Sequence, residues 1–190
     1  MRLIPTGSQT AGPFFKFGLD HPEWADLTGG GKALGDKIRI EGRVTDGDGA
    51  AVPDALLEIW QANAAGKYAH PEDRQEKAID TSFRGFGRCA SDKEGRFHFR
   101  TIRPGRVPGS GNALQAPHIA LGMVGPGILK RLATRVYFSD APENAEDPIL
   151  ALVPEERRAT LIASPDPAGS NIYRFDIHLG GTRETVFFEF

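Results

Sequence analysis

The sequence predicts a mainly β fold: a two-sheet β-sandwich with long loops, one short helix and an extended N-terminal arm. Three observations carry that reading. Roughly seven or eight short runs alternate apolar and polar residues with a period of two, the mark of half-buried strands. The 23 glycines and 14 prolines are scattered between those runs rather than clustered, so they punctuate turns. Strands that each carry one apolar face must bring two sheets together to bury it.

Residues 1–36 have little regular pattern and read as an arm and loop that must pack on the main domain or on another chain; residues 37–190 read as the sandwich, one domain overall. Thr10-Ala11-Gly12-Pro13-Phe14-Phe15 is a tight Gly-Pro turn followed by two aromatics, and Gly29-Gly30-Gly31 is a flexible loop. Ile38, Ile40, Gly42 and Val44 alternate with Arg39, Glu41 and Arg43, a half-buried strand. Asp46-Gly47-Asp48-Gly49 turns the chain into a more apolar and more central strand, Ala55 to Trp60, which Asn63-Ala64-Ala65-Gly66 ends. Residues 69–84 are polar, contain Pro71 and predict a long loop or a few helical turns.

After the turn Asp92-Lys93-Glu94-Gly95, Phe97 and Phe99 alternate with Arg96, His98 and Arg100. Arg103-Pro104-Gly105 turns the chain again, and Ile119–Val124 and Arg135–Phe138 read as further strands. Pro154 to Ala163 predicts the short helix, with Pro154 in its first turn and Glu155 and Glu156 favouring its N-terminal dipole. Tyr173, Phe175, Ile177 and Leu179 alternate with polar residues, and Val186, Phe188 and Phe190 close the chain.

A length of 190 residues supports one full core. The net charge of −2 argues against a nucleic-acid or membrane-surface partner. No apolar run is long enough to span a bilayer, and the opening Met-Arg-Leu-Ile-Pro-Thr lacks the apolar stretch of a signal peptide. Cys89 stands alone, which excludes an internal disulfide and fits a reducing cytoplasm; it reads as a small buried hydrophobe. Among the histidines there is no His-x-His or His-x-x-His spacing, and no Cys-x-x-Cys occurs.

Several segments, in this order, carry a resemblance over about residues 8–190: Ser8-Gln9-Thr10-Ala11-Gly12-Pro13-Phe14-Phe15, Glu58-Ile59-Trp60-Gln61-Ala62-Asn63-Ala64-Ala65-Gly66-Lys67-Tyr68, Phe86-Gly87-Arg88-Cys89, Thr101-Ile102-Arg103-Pro104-Gly105 and Tyr173-Arg174-Phe175-Asp176-Ile177. They resemble the intradiol ring-cleaving dioxygenases, which open catechols with Fe(III) held by two tyrosinates and two histidines. That ligand set suits a hard ferric ion, which prefers anionic oxygen and accepts imidazole. The resemblance places Tyr68 at the first tyrosine and His118 at the first histidine. Val107 stands at the second tyrosine, Ala120 at the second histidine, and Gln115 at an arginine that assists bound substrate. Two monodentate ligands are too few for an iron cage, so the chain itself is expected to hold no metal and no catalytic residue.

The resemblance therefore implies a non-iron alpha subunit whose partner, a beta subunit of similar fold, binds the Fe(III). It implies protocatechuate or a related carboxylated catechol and O2 as substrates, in aromatic catabolism. It also implies that Thr10, Ala11, Gly12 and Pro13 line the substrate cavity of the partner, a place where a Gly-Pro turn offers backbone without bulk. Pro126 stands where related chains carry a cavity-facing arginine. Two other readings remain open on sequence alone: a non-catalytic β-sandwich binding module, and a self-sufficient catechol-type dioxygenase in which Tyr137 or Tyr173 supplies a missing ligand. The remaining histidines, His21, His70, His98 and His178, fall in loops or on polar strand phases, and Arg131 and Arg135 read as surface-paired or as an electropositive wall.

Overall fold

The computed structural model describes residues 7, 9–111, 113–167 and 171–189. Ser8 and Phe190, both named above, lie outside the described residues. The described residues form eleven strands: β1 (Lys37–Thr45), β2 (Leu56–Trp60), β3 (Phe86–Ala90), β4 (Arg96–Ile102), β5 (Val107–Pro108), β6 (Leu114–Gln115), β7 (His118–Val124), β8 (Leu132–Phe138), β9 (Ile162–Pro165), β10 (Ile172–Arg174) and β11 (Ile177–His178).

One half of the sandwich runs β3-β2-β7-β8 with every neighbour antiparallel. The other is built on β1, which pairs antiparallel with β4 and parallel with β10 and β11. β9 joins the halves, parallel to β8 and antiparallel to β10, so the sheet curls over and faces itself. Ile38, Ile40, Phe97 and Phe99 from one half meet Leu57, Ile59, Ile119, Leu121, Val136 and Phe138 from the other in a single core. Residues of β2, β7 and β8 on the opposite phase form the outer face of that half, and this face carries the candidate site.

The period-two runs become strands where they were expected, and the departures have local causes. The run 173–179 is broken into β10 and β11 at Phe175-Asp176. There the Phe175 carbonyl presses on β1 so closely that a Cβ on Gly42 would lie 1.7 Å from its oxygen. The Asp176 carboxylate, rather than a carbonyl, accepts from Arg43 N at 2.9 Å. The expected helix 154–163 is shorter: α2 covers Glu155–Arg158 after Pro154 as its cap, a 3₁₀ turn follows over Ala159–Leu161, and Ile162 and Ala163 belong to β9. Pairing with Tyr137 and Phe138 of β8 overrides the local helical pattern there. Residues 69–84 are loop without helix. Val186 and Phe188 form no strand, although Phe188 N bonds to Ala133 O at 2.8 Å along the edge of β8.

The N-terminal region adds a helix not anticipated from its composition, α1 (Pro13–Leu19), opened by Pro13 in its first turn. Phe14 is 87% exposed and Phe17 73% exposed, so the described residues leave most of its aromatic face uncovered. Further on, Ala25, Leu27 and Ala33 are buried in the main core, and Leu27 N bonds to Arg100 O at 2.8 Å. Among the described residues, no helix is long and apolar enough to cross a membrane.

Candidate functional site

Tyr68 reaches its place through two motifs that lock together. Gln61, fully buried at the end of β2, donates to Ile102 O at 3.0 Å and accepts from the Thr101 hydroxyl at 2.7 Å, tying β2 to the end of β4. Asn63 then folds the next turn by accepting from both Ala65 N and Lys67 N at 3.0 Å. Gly105 of Arg103-Pro104-Gly105 donates its N–H to Asn63 O at 3.0 Å. A Cβ on Gly105 would sit 2.4 Å from Ala64 O, so the approach needs glycine. This contact brings Tyr68 and Val107 to one cavity of about 760 Å³, with Trp60, His70, Asp73 and Pro108 also on its walls.

Tyr68 stacks on Trp60, with ring centroids 5.7 Å apart and planes 12° from parallel. Burial raises its phenol above the ordinary value; Asp73 adds to the rise and Arg135 opposes it. The loop behind it is fixed by Asp73, which accepts from Tyr68 N at 2.8 Å and Gln75 N at 3.0 Å and pairs with the buried Lys67 ammonium at 3.1 Å. Although burial alone raises a carboxyl, these donors hold Asp73 at about 2.

His118 opens β7 and is 4% exposed. Its Nδ1 lies 2.8 Å from Ala116 O, which as an acceptor fixes that nitrogen as the donor. Burial, reinforced by the Arg135 charge, lowers its pKa to about 4, so the ring is neutral. Strand register places Trp60 and Arg135 on either side of Ala120, and Tyr137 beside His118. Directly paired residues share a face, so all five side chains project from the outer face of the sheet.

A polar chain crosses this face. Arg135 Nη1 donates to Gln115 Oε1 at 2.6 Å and to the Tyr137 hydroxyl at 3.4 Å. Tyr137 in turn donates to Asp147 Oδ1 at 3.0 Å. Asp147, 1% exposed, also accepts from the backbone N–H groups of Ala116, Ile149 and Leu150 at 2.7, 2.9 and 2.7 Å. Gln115 Nε2 anchors the other end on Pro108 O at 2.9 Å. The sequence marked Gln115 and left Arg135 among surface-paired residues. Tyr137 entered the sequence reading only as a substitute ligand of a self-sufficient dioxygenase, and Asp147 carried no motif; the signal for the network was that Arg135 and Tyr137 share a phase of one strand.

The arm is not part of this cluster. Thr10 Oγ1 accepts from Gly127 N at 2.8 Å and donates to Gly125 O at 3.3 Å, which seats the arm beside the exposed Pro126. Ala11, Gly12, Phe15 and Pro126 surround a separate cavity of about 270 Å³ at the Leu56 end of β2. Four residues of strand separate Leu56 from Trp60, about 13 Å. Thr10 and Gly12 are exposed.

The other candidates have ordinary partners. His178 is 2.8 Å from the Thr45 hydroxyl, His21 packs on Trp24 and His70 lies edge-on to Trp60. Arg131 lies 3.6 Å from Glu58. Cys89 is half-buried against the core, and burial raises its thiol.

The donor set does not fit a ferric ion. Tyr68 is held as a neutral phenol, His118 offers one imidazole, and the positions that resemblance assigns to the other two ligands carry the side chains of Val107 and Ala120. The charge of Arg135, the cross-strand partner of Ala120, acts on both Tyr68 and His118, so a trication between them would meet like charge. Among the described residues, no three His, Cys, Asp or Glu side chains gather as metal ligands.

A family model described as "Dioxygenase" matches residues 11–181. The protocatechuate 3,4-dioxygenase alpha chain of Burkholderia cepacia is 42% identical over 200 aligned residues, covering 98% of each chain. The protocatechuate 3,4-dioxygenase beta chain of the same organism is 38% identical over 186 residues, covering 94% of this chain and 77% of that one. The solved dioxygenase domain of a dioxygenase carbohydrate-binding protein fusion from Streptomyces sp. SirexAA-E aligns over 94% of this chain and 100% of its own, with a TM-score of 0.63 at 27% identity.

Proposed function

Because the chain belongs to the intradiol ring-cleaving dioxygenase family, we infer that it serves as the non-iron alpha subunit of an alpha–beta protocatechuate 3,4-dioxygenase. The beta subunit holds the Fe(III). The pair inserts both atoms of O2 into protocatechuate, or a related carboxylated catechol, between the two hydroxyl-bearing carbons, giving 3-carboxy-cis,cis-muconate from the parent substrate. The observation that carries this reading is the presence of Val107 and Ala120 at two ligand positions in a frame that keeps Tyr68, His118 and the motifs around them. Full-length similarity to an alpha chain, together with lower similarity to a beta chain, supports the same assignment.

In this role the chain shapes the partner's cavity and no step of the reaction passes through its own residues. Thr10, Ala11, Gly12 and Pro13 form the wall that faces the substrate. Their support is geometric: Thr10 is tied to Gly125 and Gly127, Gly12 is exposed, and the bare aromatic face of α1 follows immediately. Burying Phe14 and Phe17 against the partner contributes about 1.5–3 kcal/mol each. Pro126 puts no cation at its own place in the adjoining loop, and the cations further along it, Lys130 and Arg131, face Glu189 and Glu58 of this chain. The compartment is the cytoplasm, a reading that rests on the lone thiol Cys89.

Iron analysis and O2 uptake with protocatechuate, on the full chain alone and co-expressed with its beta partner, test the assignment. The expected result is iron and turnover only when the partner is present. A tightly bound ferric ion with tyrosinate charge-transfer colour in the isolated chain would contradict it.

A further inference from the structure

We propose that Arg135 is a built-in cation that takes over the charge role of the lost metal and keeps metal out of this chain. The argument begins with register. Arg135 is the direct cross-strand partner of Ala120, the position that resemblance assigns to a histidine ligand. Paired Cβ atoms in an antiparallel ladder lie about 4.5–5.5 Å apart. The Arg135 side chain therefore leaves the sheet beside a methyl group and is free to cross over it. It ends on Gln115 Oε1 at 2.6 Å and the Tyr137 hydroxyl at 3.4 Å.

Charge closes the argument. The guanidinium's side-chain partners are the neutral Gln115 and Tyr137, and its negative counterpart is Asp147, one hydroxyl away through Tyr137. Asp147 is saturated by three backbone donors and that hydroxyl. The cluster thus holds one fixed positive charge and one fixed negative charge in a closed set of hydrogen bonds. A guanidinium is a fixed positive charge, and one aimed across the emptied ligand position opposes a second cation there. Loss of two ligands alone leaves a weak site; an arginine over it leaves none. The inference rests on the reading of this chain as the non-iron subunit, and it adds that reinstating the ligands is not sufficient to restore binding.

The test uses the full chain with its beta partner, reading iron per copy relative to wild type and the tyrosinate–iron absorption band. Val107→Tyr with Ala120→His restores the four ligand types, and the cavity that Val107 lines has room for the ring. With Arg135 in place this double variant is expected to bind no more iron than wild type. Adding Arg135→Met is expected to raise the count by one iron per chain and to bring in a second absorption band. Adding Arg135→Lys, which keeps the charge, is expected to leave the count unchanged. Arg135→Gln, which keeps a donor for Gln115 and Tyr137, replaces Arg135→Met if the latter fails to fold. Uptake of a full equivalent by the double variant overturns the inference, as does a folded neutral variant that takes up none. Iron bound by the wild-type chain on its own would instead overturn the subunit assignment, so the two failures are distinct.

Discussion

The Tyr137 hydroxyl donates to Asp147 Oδ1 at 3.0 Å beneath the segment that covers the outer face of the sheet. Leu150, Val153, Leu161 and Ala116 pack with Tyr137 in a second apolar cluster, so this hydrogen bond sits in a low-dielectric environment. Asp147→Ala strands the N–H groups of Ala116, Ile149 and Leu150 as well as the hydroxyl. The expected loss is about 3 kcal/mol or more in denaturant unfolding, since each orphaned buried donor costs roughly 1–3 kcal/mol.

His118 gives the fold an acid-sensitive limb. Its folded pKa is about 4, below the ordinary 6.5, because burial and Arg135 disfavour the imidazolium. The unfolded chain therefore binds this proton more readily. Stability is fully present above 6.5, falls as pH drops from there toward about 4, and this contribution is flat below. The limb amounts to about 3 kcal/mol. His118→Asn, which keeps a donor for Ala116 O, is expected to flatten it in a pH series of urea melts.

Two glycines of the sheet predict opposite tolerances. Gly42→Ala puts a methyl 1.7 Å from the backbone oxygen of Phe175, and neither strand can retreat without losing its pairing. The expected cost is about 3 kcal/mol. At Gly122 the nearest atoms belong to the Arg131 guanidinium, a long side chain half in solvent that can swing away. Gly122→Ala is expected to cost under about 1 kcal/mol. Thermal melts of the two variants compare them directly.

The exposed face of α1 separates stability from assembly. Phe14→Ser with Phe17→Ser touches no core contact of this chain, so its unfolding free energy is expected to move by less than about 0.5 kcal/mol. Association with the beta partner is expected to weaken by about tenfold or more, as for apolar anchors removed from an interface. Analytical ultracentrifugation of the mixed chains measures it.

The alternating strands β1, β4, β7 and β8 were legible because one face of each is core and the other is not. β3 was hidden: Phe86-Gly87-Arg88-Cys89-Ala90 does not alternate, and its extended form comes from pairing with β2. β9 was masked by the helix-like Glu-Glu-Arg-Arg run before it, and α1 by aromatics that stay largely exposed among the described residues. At the site, Tyr68, Val107, His118, Ala120 and Gln115 could be placed by motif. The Arg135–Tyr137–Asp147 network could not, because the register that sets Arg135 beside Ala120 is a property of two strands together. The closed hydrogen-bond set needs Asp147 as well, which arrives from a separate 3₁₀ region.

The most direct test of the account is an anomalous difference map, recorded at the iron edge, from crystals of the chain with its beta partner. The account predicts one iron per pair, bound wholly by the partner, and no peak within about 3 Å of the Tyr68 hydroxyl or the His118 ring. A peak between Tyr68 and His118, coordinated by groups of this chain, would contradict it.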